Sequence, residues 1–357
     1  MLLVLMVHAD FKALDPPTVG EVITTPVSSF LRFLSESISI VCVNVFILIT
    51  GWFGIRPKVS RFSALVFQVM FIGFFIYIVL LSLGKVERWN PVDWIRFMFM
   101  RRGLWFVGAY MVLYIISPVL NAFVLTTSRK TFKDVLIAFF FIQTICGFYS
   151  QYDFFNSGYS PLSFIGLYLL ARYMKLYSDG FCTLKKRYDV AIYLCTVLFT
   201  SLLAMKFGRA GYDSKALYDY LAPAVIIGSV YFFLFFTKLS FHSRMVNWIA
   251  TSAFAVYLFH CDPLFFRRYY LLPIKDFYLQ DSLPLFILHT SALIISVFFV
   301  SILVDKLRAF LWNRSVFIYK QIGRKAKRSY LTLVIRSYST TSNRIVYFDR
   351  KRKLWRI

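Results

Sequence analysis

Charge is scarce in this 357-residue chain: 16% of residues are Asp, Glu, Lys or Arg, against roughly 25% in ordinary soluble domains. With 59% of residues hydrophobic and 20% aromatic, a soluble globular fold has too little polar surface to cover them. Acids are scarcer than bases, 17 against 41, and the resulting net charge of +24 would fit a nucleic-acid binder if the bases formed a stripe. They are instead gathered in short segments between apolar runs and near the end of the chain, which reads as membrane topology and leaves no nucleic-acid partner. The five cysteines, Cys42, Cys146, Cys182, Cys195 and Cys261, contain no pair at zinc or redox spacing. Zinc, haem, Walker-type and dinucleotide motifs are missing too, so neither a metal nor a tightly bound cofactor is expected. A cleavable signal peptide is also lacking: Met1 to Val7 is apolar, with no basic region and no small-residue cleavage site, and it reads as the back half of a membrane helix.

What the chain does have is apolar runs long enough to cross a hydrocarbon layer, which takes about 20 residues of helix. They fall at 1 to 9, 36 to 55, 62 to 84, 104 to 125, 135 to 150, 161 to 177, 189 to 206, 217 to 237, 246 to 266 and 283 to 305. The expected fold is therefore all-α: a polytopic membrane bundle of about ten spans, the first truncated, filling residues 1–305 with no soluble domain between spans. Lys and Arg follow alternate spans, at Arg56, Lys58 and Arg61, at Arg129, Lys130 and Lys133, at Lys175, Lys185, Lys186 and Arg187, and at Lys238 and Arg244. These loops are expected on the cytoplasmic side. Arg101, Arg102, Arg267 and Arg268 break the alternation, and the stretch from Trp89 to Met100 is read as an interfacial amphipathic helix. The tail, 306–357, carries fifteen basic residues against one acid, Asp349, and is expected to be cytoplasmic, poorly ordered or surface-lying, and attracted to anionic lipid. Both termini are then cytoplasmic.

Ionisable groups at membrane depth cost roughly 2.5 to 3.5 kcal/mol, so the few present need a reason. His8 ends the first apolar run, two residues before Asp10. An imidazole can take a proton from a hydroxyl at neutral pH, which makes His8 a candidate general base. It equally suits an interfacial residue at a helix end. His260, late in the ninth run, can bond a substrate or another helix, and Asn44 in the second run can likewise hold a neighbouring helix. Arg56, Lys58 and Arg61 can receive the phosphates of a coenzyme A donor, or simply satisfy the topology rule.

Several local patterns together resemble the acyltransferase 3 family of membrane proteins, which includes O-acetyltransferases of surface polysaccharides and related glycans. Leu2 to His8 is similar to the family's first helix, which ends its signature in a histidine. Val43 to Phe53, with Asn44, Thr50, Gly51 and Trp52, is similar to the second. Trp105-Phe106, with Tyr110, Tyr114, Pro118 and Asn121, resembles the Trp-Phe and Tyr-to-Pro segment, and Ser163 to Tyr173 and Tyr257 to His260 supply two further matches. The resemblance implies an O-acyltransferase of the plasma (inner) membrane that moves an acyl group, acetyl by preference, from acyl-CoA to a hydroxyl of a surface or lipid-linked glycan. It makes His8 the general base. Arg56, Arg61, Asn44, Trp105 and His260 become the expected substrate-binding residues, with acyl-CoA as donor substrate and a carbohydrate as acceptor. The family signature also places an arginine about eleven residues before its histidine, a position that falls ahead of Met1, so the resemblance leaves two readings, a longer true first helix or an inactive truncated homologue. A transporter or flippase of a lipid-linked glycan is the alternative from another class, although no paired Gly/Pro-broken spans suggest one. A structural subunit would leave His8 and His260 packed with no cavity between them.

Overall fold

A computed structural model describes residues 1–99, 104–178 and 180–315. No strand occurs among them. In chain order the α-helices are α1 (Leu2–Ala9), α2 (Phe11–Leu14), α3 (Val19–Thr24), α4 (Pro26–Ser39), α5 (Cys42–Phe53), α6 (Val59–Ser82), α7 (Pro91–Phe99), α8 (Trp105–Thr126), α9 (Arg129–Ile142), α10 (Pro161–Tyr177), α11 (Lys186–Arg209), α12 (Pro223–Thr237), α13 (Arg244–Ala250), α14 (Ala253–His260), α15 (Leu272–Gln280) and α16 (Leu283–Ser315). Residues Met1–Asp305 form one compact unit. The expected tail beyond Ser315 lies outside the described residues, as do Met100, Arg101 and Arg102.

The chain is a polytopic helical bundle. Among the described residues seven helical stretches are long and apolar enough to cross a membrane: Pro26–Phe53, α6, α8, Arg129–Tyr149, α11, Lys215–Thr237 and α16. Two of the ten expected runs, 1 to 9 and 246 to 266, take another form, whereas 161 to 177 keeps its bounds. The run at 1 to 9 yields the eight-residue α1, about 12 Å long and too short to cross. The run at 161 to 177 yields the 17-residue α10. The run at 246 to 266 is divided into α13 and α14 by a turn at Thr251–Ser252, and it ends at His260, three residues ahead of Pro263, which has no backbone N–H to continue a helix. The expected interfacial segment contains α7, preceded by Trp89, whose ring stacks on Tyr77 at 3.9 Å.

Close approach of backbones fixes the centre. A Cβ on Gly51 would stand 2.5 Å from the Tyr168 carbonyl oxygen and 2.8 Å from the Ala171 Cβ, so α5 meets α10 where only glycine fits. In α8, Pro118 has no N–H to give the Tyr114 carbonyl, and Ser117 Oγ donates to it instead at 2.7 Å. The short α1 is held rather than spanning: Leu5 is fully buried and its carbonyl accepts from the Tyr270 hydroxyl at 2.7 Å. Tyr270 belongs to a π-helical turn, Phe266–Leu271, that leads into α15.

Candidate active site

Because α1 is anchored by Tyr270 and packs on α4, α5 and α14, its last turn carries His8 into the bundle. There His8 Nδ1 lies 2.8 Å from His260 Nε2, and His260 Nδ1 lies 2.5 Å from the Val256 carbonyl oxygen. A carbonyl only accepts, so His260 Nδ1 carries a hydrogen, and in the neutral ring its Nε2 accepts. His8 Nδ1 must then donate, which leaves the lone pair of a neutral His8 on Nε2. This assignment follows from the hydrogen-bond network. The pair of rings thus sets one tautomer, and that tautomer has its base at Nε2, the nitrogen that His260 does not engage. His260 is fully buried behind His8, which is half-buried.

His8 lines a cavity of about 420 Å³ together with Lys12, Glu36, Trp105, Asp219 and Tyr220. The wall is aromatic and carries charge of both signs, Asp15, Glu36 and Asp219 with Lys12 and Lys215. Trp105 lies 4.4 Å from Tyr159, edge to face, and 6.0 Å from the stacked Tyr220 ring. Glu36 is 2% exposed, and its Oε2 has no hydrogen-bond partner. Next in the chain to the lining residue Phe11, Asp10 accepts from Arg32 Nε at 2.9 Å, and Arg32 also donates to the Asp15 carbonyl. Burial raises the Asp10 carboxyl to about 6, against the lowering pull of the Arg32 charge.

A second cavity of about 340 Å³ opens at the other end of α5, lined by Thr50, Ile55, Arg56, Arg61, Tyr110 and Tyr114 among others. No acid lines it. The loop bearing Arg56 is stapled on both sides. Asn121 Nδ2 donates to the Ile55 carbonyl at 2.8 Å, and the Ile55 N–H donates to the Tyr168 hydroxyl at 3.2 Å. That hydroxyl in turn donates to Asn121 Oδ1 at 2.7 Å. Tyr114 accepts from the Lys58 N–H at 2.8 Å and donates to the Lys58 carbonyl at 3.0 Å. Gly54, with φ of 73°, makes the left-handed turn that ends α5 and leads into this loop.

Between the two cavities lies a void of about 20 Å³, bordered by His8, Val43, Phe46, Trp105, Phe106 and Tyr257. Phe46, Phe106 and the stacked Tyr110 separate it from the Arg56 end. From Cys42 to Phe53 the α5 axis runs about 16 Å, which sets the scale of the separation.

His8, Trp105 and His260 are thus brought together, and Arg56 and Arg61 share a second chamber. Asn44 lines neither: it is buried and its Nδ2 donates to the Tyr220 carbonyl at 2.7 Å, holding α5 to the chain ahead of α12. Glu36, Asp219, Tyr220 and Cys261 escape a reading by sequence. Glu36 stands where a polar loop was expected to end, and the other three gain meaning only from the folded wall.

Comparison with curated proteins finds no match, and comparison with solved structures finds none either. A family model described as an acyltransferase domain matches residues 1–306. With the whole of Met1–Asp305 covered by that match, the chain belongs to the acyltransferase 3 family and is a membrane acyltransferase.

Proposed function

We propose that this acyltransferase moves an acyl group, acetyl by preference, from acyl-CoA to a hydroxyl of a surface or lipid-linked glycan, with His8 as general base. The observation that carries the reading is the chain from His8 to His260 to the Val256 carbonyl, which leaves the His8 lone pair on Nε2, with His8 on the wall of a chamber lined by aromatic rings, carboxylates and two lysines. Aromatic faces suit the apolar faces of a sugar, while Glu36 and Asp219 can accept hydrogen bonds from its hydroxyls.

The donor enters at the opposite chamber. Arg56 and Arg61 hold its phosphates through charge-assisted hydrogen bonds, and the thioester end reaches along α5, past Phe46 and Phe106, toward His8. His8 Nε2 takes the acceptor hydroxyl proton as the oxygen attacks the thioester carbonyl. The carbon–sulfur bond breaks, and the coenzyme A thiolate leaves with the proton that His8 returns. His260, by accepting from Nδ1, holds the ring in the basic tautomer and shares the positive charge that develops. On the orientation expected from the basic loops, the donor chamber is cytoplasmic and the acceptor chamber faces the other side.

The test is His8→Ala in the full chain, with glycan acylation and glycan export followed separately. Acylation is expected to fall about 10² to 10⁴-fold with export intact. Unchanged acylation removes His8 as the base, and loss of export with acylation retained points to a transporter.

A further inference from the structure

His8, His260 and Cys261 meet on one side of the acceptor chamber, brought together from α1 and the end of α14. His8 Nδ1 and His260 Nε2 are 2.8 Å apart. Cys261 Sγ lies 3.3 Å from His260 Nε2 and 3.6 Å from His8 Nδ1. Around a tetrahedral zinc ion, with Zn–N of about 2.0 to 2.1 Å and Zn–S of about 2.3 Å, donor atoms stand roughly 3.3 Å apart for N–N and roughly 3.6 Å for N–S. The two sulfur edges are already close to that. Only the N–N edge is short, by about half an ångström, because a single hydrogen joins the two rings there.

Two further features suit a metal. His260 gives its other N–H to the Val256 carbonyl, which is the outer contact that orients a ligating imidazole and leaves Nε2 for the ion. His8 and Cys261 both line the chamber, which provides an entry path and room for a fourth ligand. Two imidazoles and a thiolate select a borderline-soft cation over magnesium or calcium.

We infer that His8, His260 and Cys261 form a binding site for a zinc-class divalent cation whose occupancy switches the acyl-transfer base off. The switch rests on the reading of His8 as the base, whereas the metal site does not. On binding, Cys261 loses its thiol proton to solvent and the cation takes the lone pairs of His8 Nδ1 and His260 Nε2. The hydrogen formerly on His8 Nδ1 moves to Nε2. A neutral ring with metal on one nitrogen and hydrogen on the other has no lone pair for the acceptor hydroxyl, so transfer stops until the ion leaves.

The experiment uses the full chain in detergent micelles with Co²⁺ as a spectroscopic probe and Zn²⁺ as competitor. One equivalent of cobalt is expected to give the visible bands of a tetrahedral site and a thiolate-to-cobalt charge-transfer band, both bleached by zinc. Cys261→Ser and Cys261→Ala should abolish the charge-transfer band, while Cys182→Ala and Cys195→Ala retain it. In parallel, zinc should inhibit acyl transfer, and Cys261→Ala should need at least about tenfold more zinc for half-inhibition, each variant compared with its own metal-free rate. Thermal midpoints of the variants separate ligand loss from misfolding. A missing charge-transfer band, or one that survives Cys261→Ser in a folded chain, overturns the site and leaves the acyltransferase reading untouched. Cobalt bound through Cys261 in a chain whose transfer ignores His8→Ala keeps the site and overturns the switch.

Discussion

The two chambers at the ends of α5 are built on opposite principles. Around Arg56 and Arg61 the charge is basic and the backbone is stapled by Tyr114, Asn121 and Tyr168, so what is held rigid is a loop. Around His8 the wall mixes carboxylates with aromatic rings, and what is held rigid is a proton position, through the chain from His8 to His260 to the Val256 carbonyl. One end is suited to catching an anion and the other to moving a proton.

The largest effect that tests this division is at His260. Replacement by Phe keeps a ring but removes the acceptor for His8 Nδ1, and kcat is expected to fall about 10²-fold with donor KM unchanged. His260→Gln, whose amide oxygen can accept, should recover part of the loss. A rise in donor KM in either variant would break the separation between the two ends. Next comes the basic end. Arg56→Ala and Arg61→Ala together should raise donor KM about tenfold while leaving kcat in place, because each exposed cation contributes only up to about 1 kcal/mol. A fall in kcat with unaltered donor KM would argue that these cations hold no phosphate.

The smallest effect concerns stability beside the His8 chamber. The Asp10 carboxyl sits at about 6 in the folded chain, above the ordinary 3.8, so the folded state binds that proton more tightly than the unfolded chain does. Its contribution is complete below about pH 4 and is lost as pH rises through about 6. Thermal midpoints measured across that window should therefore decline, and Asp10→Asn should flatten the decline without touching donor KM. A profile identical to that of the parent chain would show that the Asp10–Arg32 pair does not govern this end.

Much of this arrangement was legible in the residues themselves, for definite reasons. Long apolar runs announce membrane helices directly, and an imidazole at the end of one stands out because so few ionisable groups occur there. The family-like Tyr114, Asn121 and Tyr168 could be recognised as a pattern, but their purpose could not: they staple residues 55 to 58, a pairing set by the crossing of α8, α10 and the loop rather than by spacing. His8 and His260 lie 252 positions apart, so their hydrogen bond and the tautomer it dictates have no local signature. Glu36 was hidden by its position at the edge of an apolar run, where a carboxylate looks like the end of a loop. The ninth run reads as one continuous span because hydropathy does not register the turn at Thr251–Ser252 that frees α14 to present His260.

The tight seat of Gly51 on α10 has a consequence for what this acyltransferase can accept. With α5 seated on α10 where only glycine fits, the twelve residues of α5 act as a ruler between the Arg56 chamber and the His8 chamber. On the proposed function, a thioester with an arm shorter than that ruler can grip the arginines or present its carbonyl to the imidazole, but not both in the same encounter.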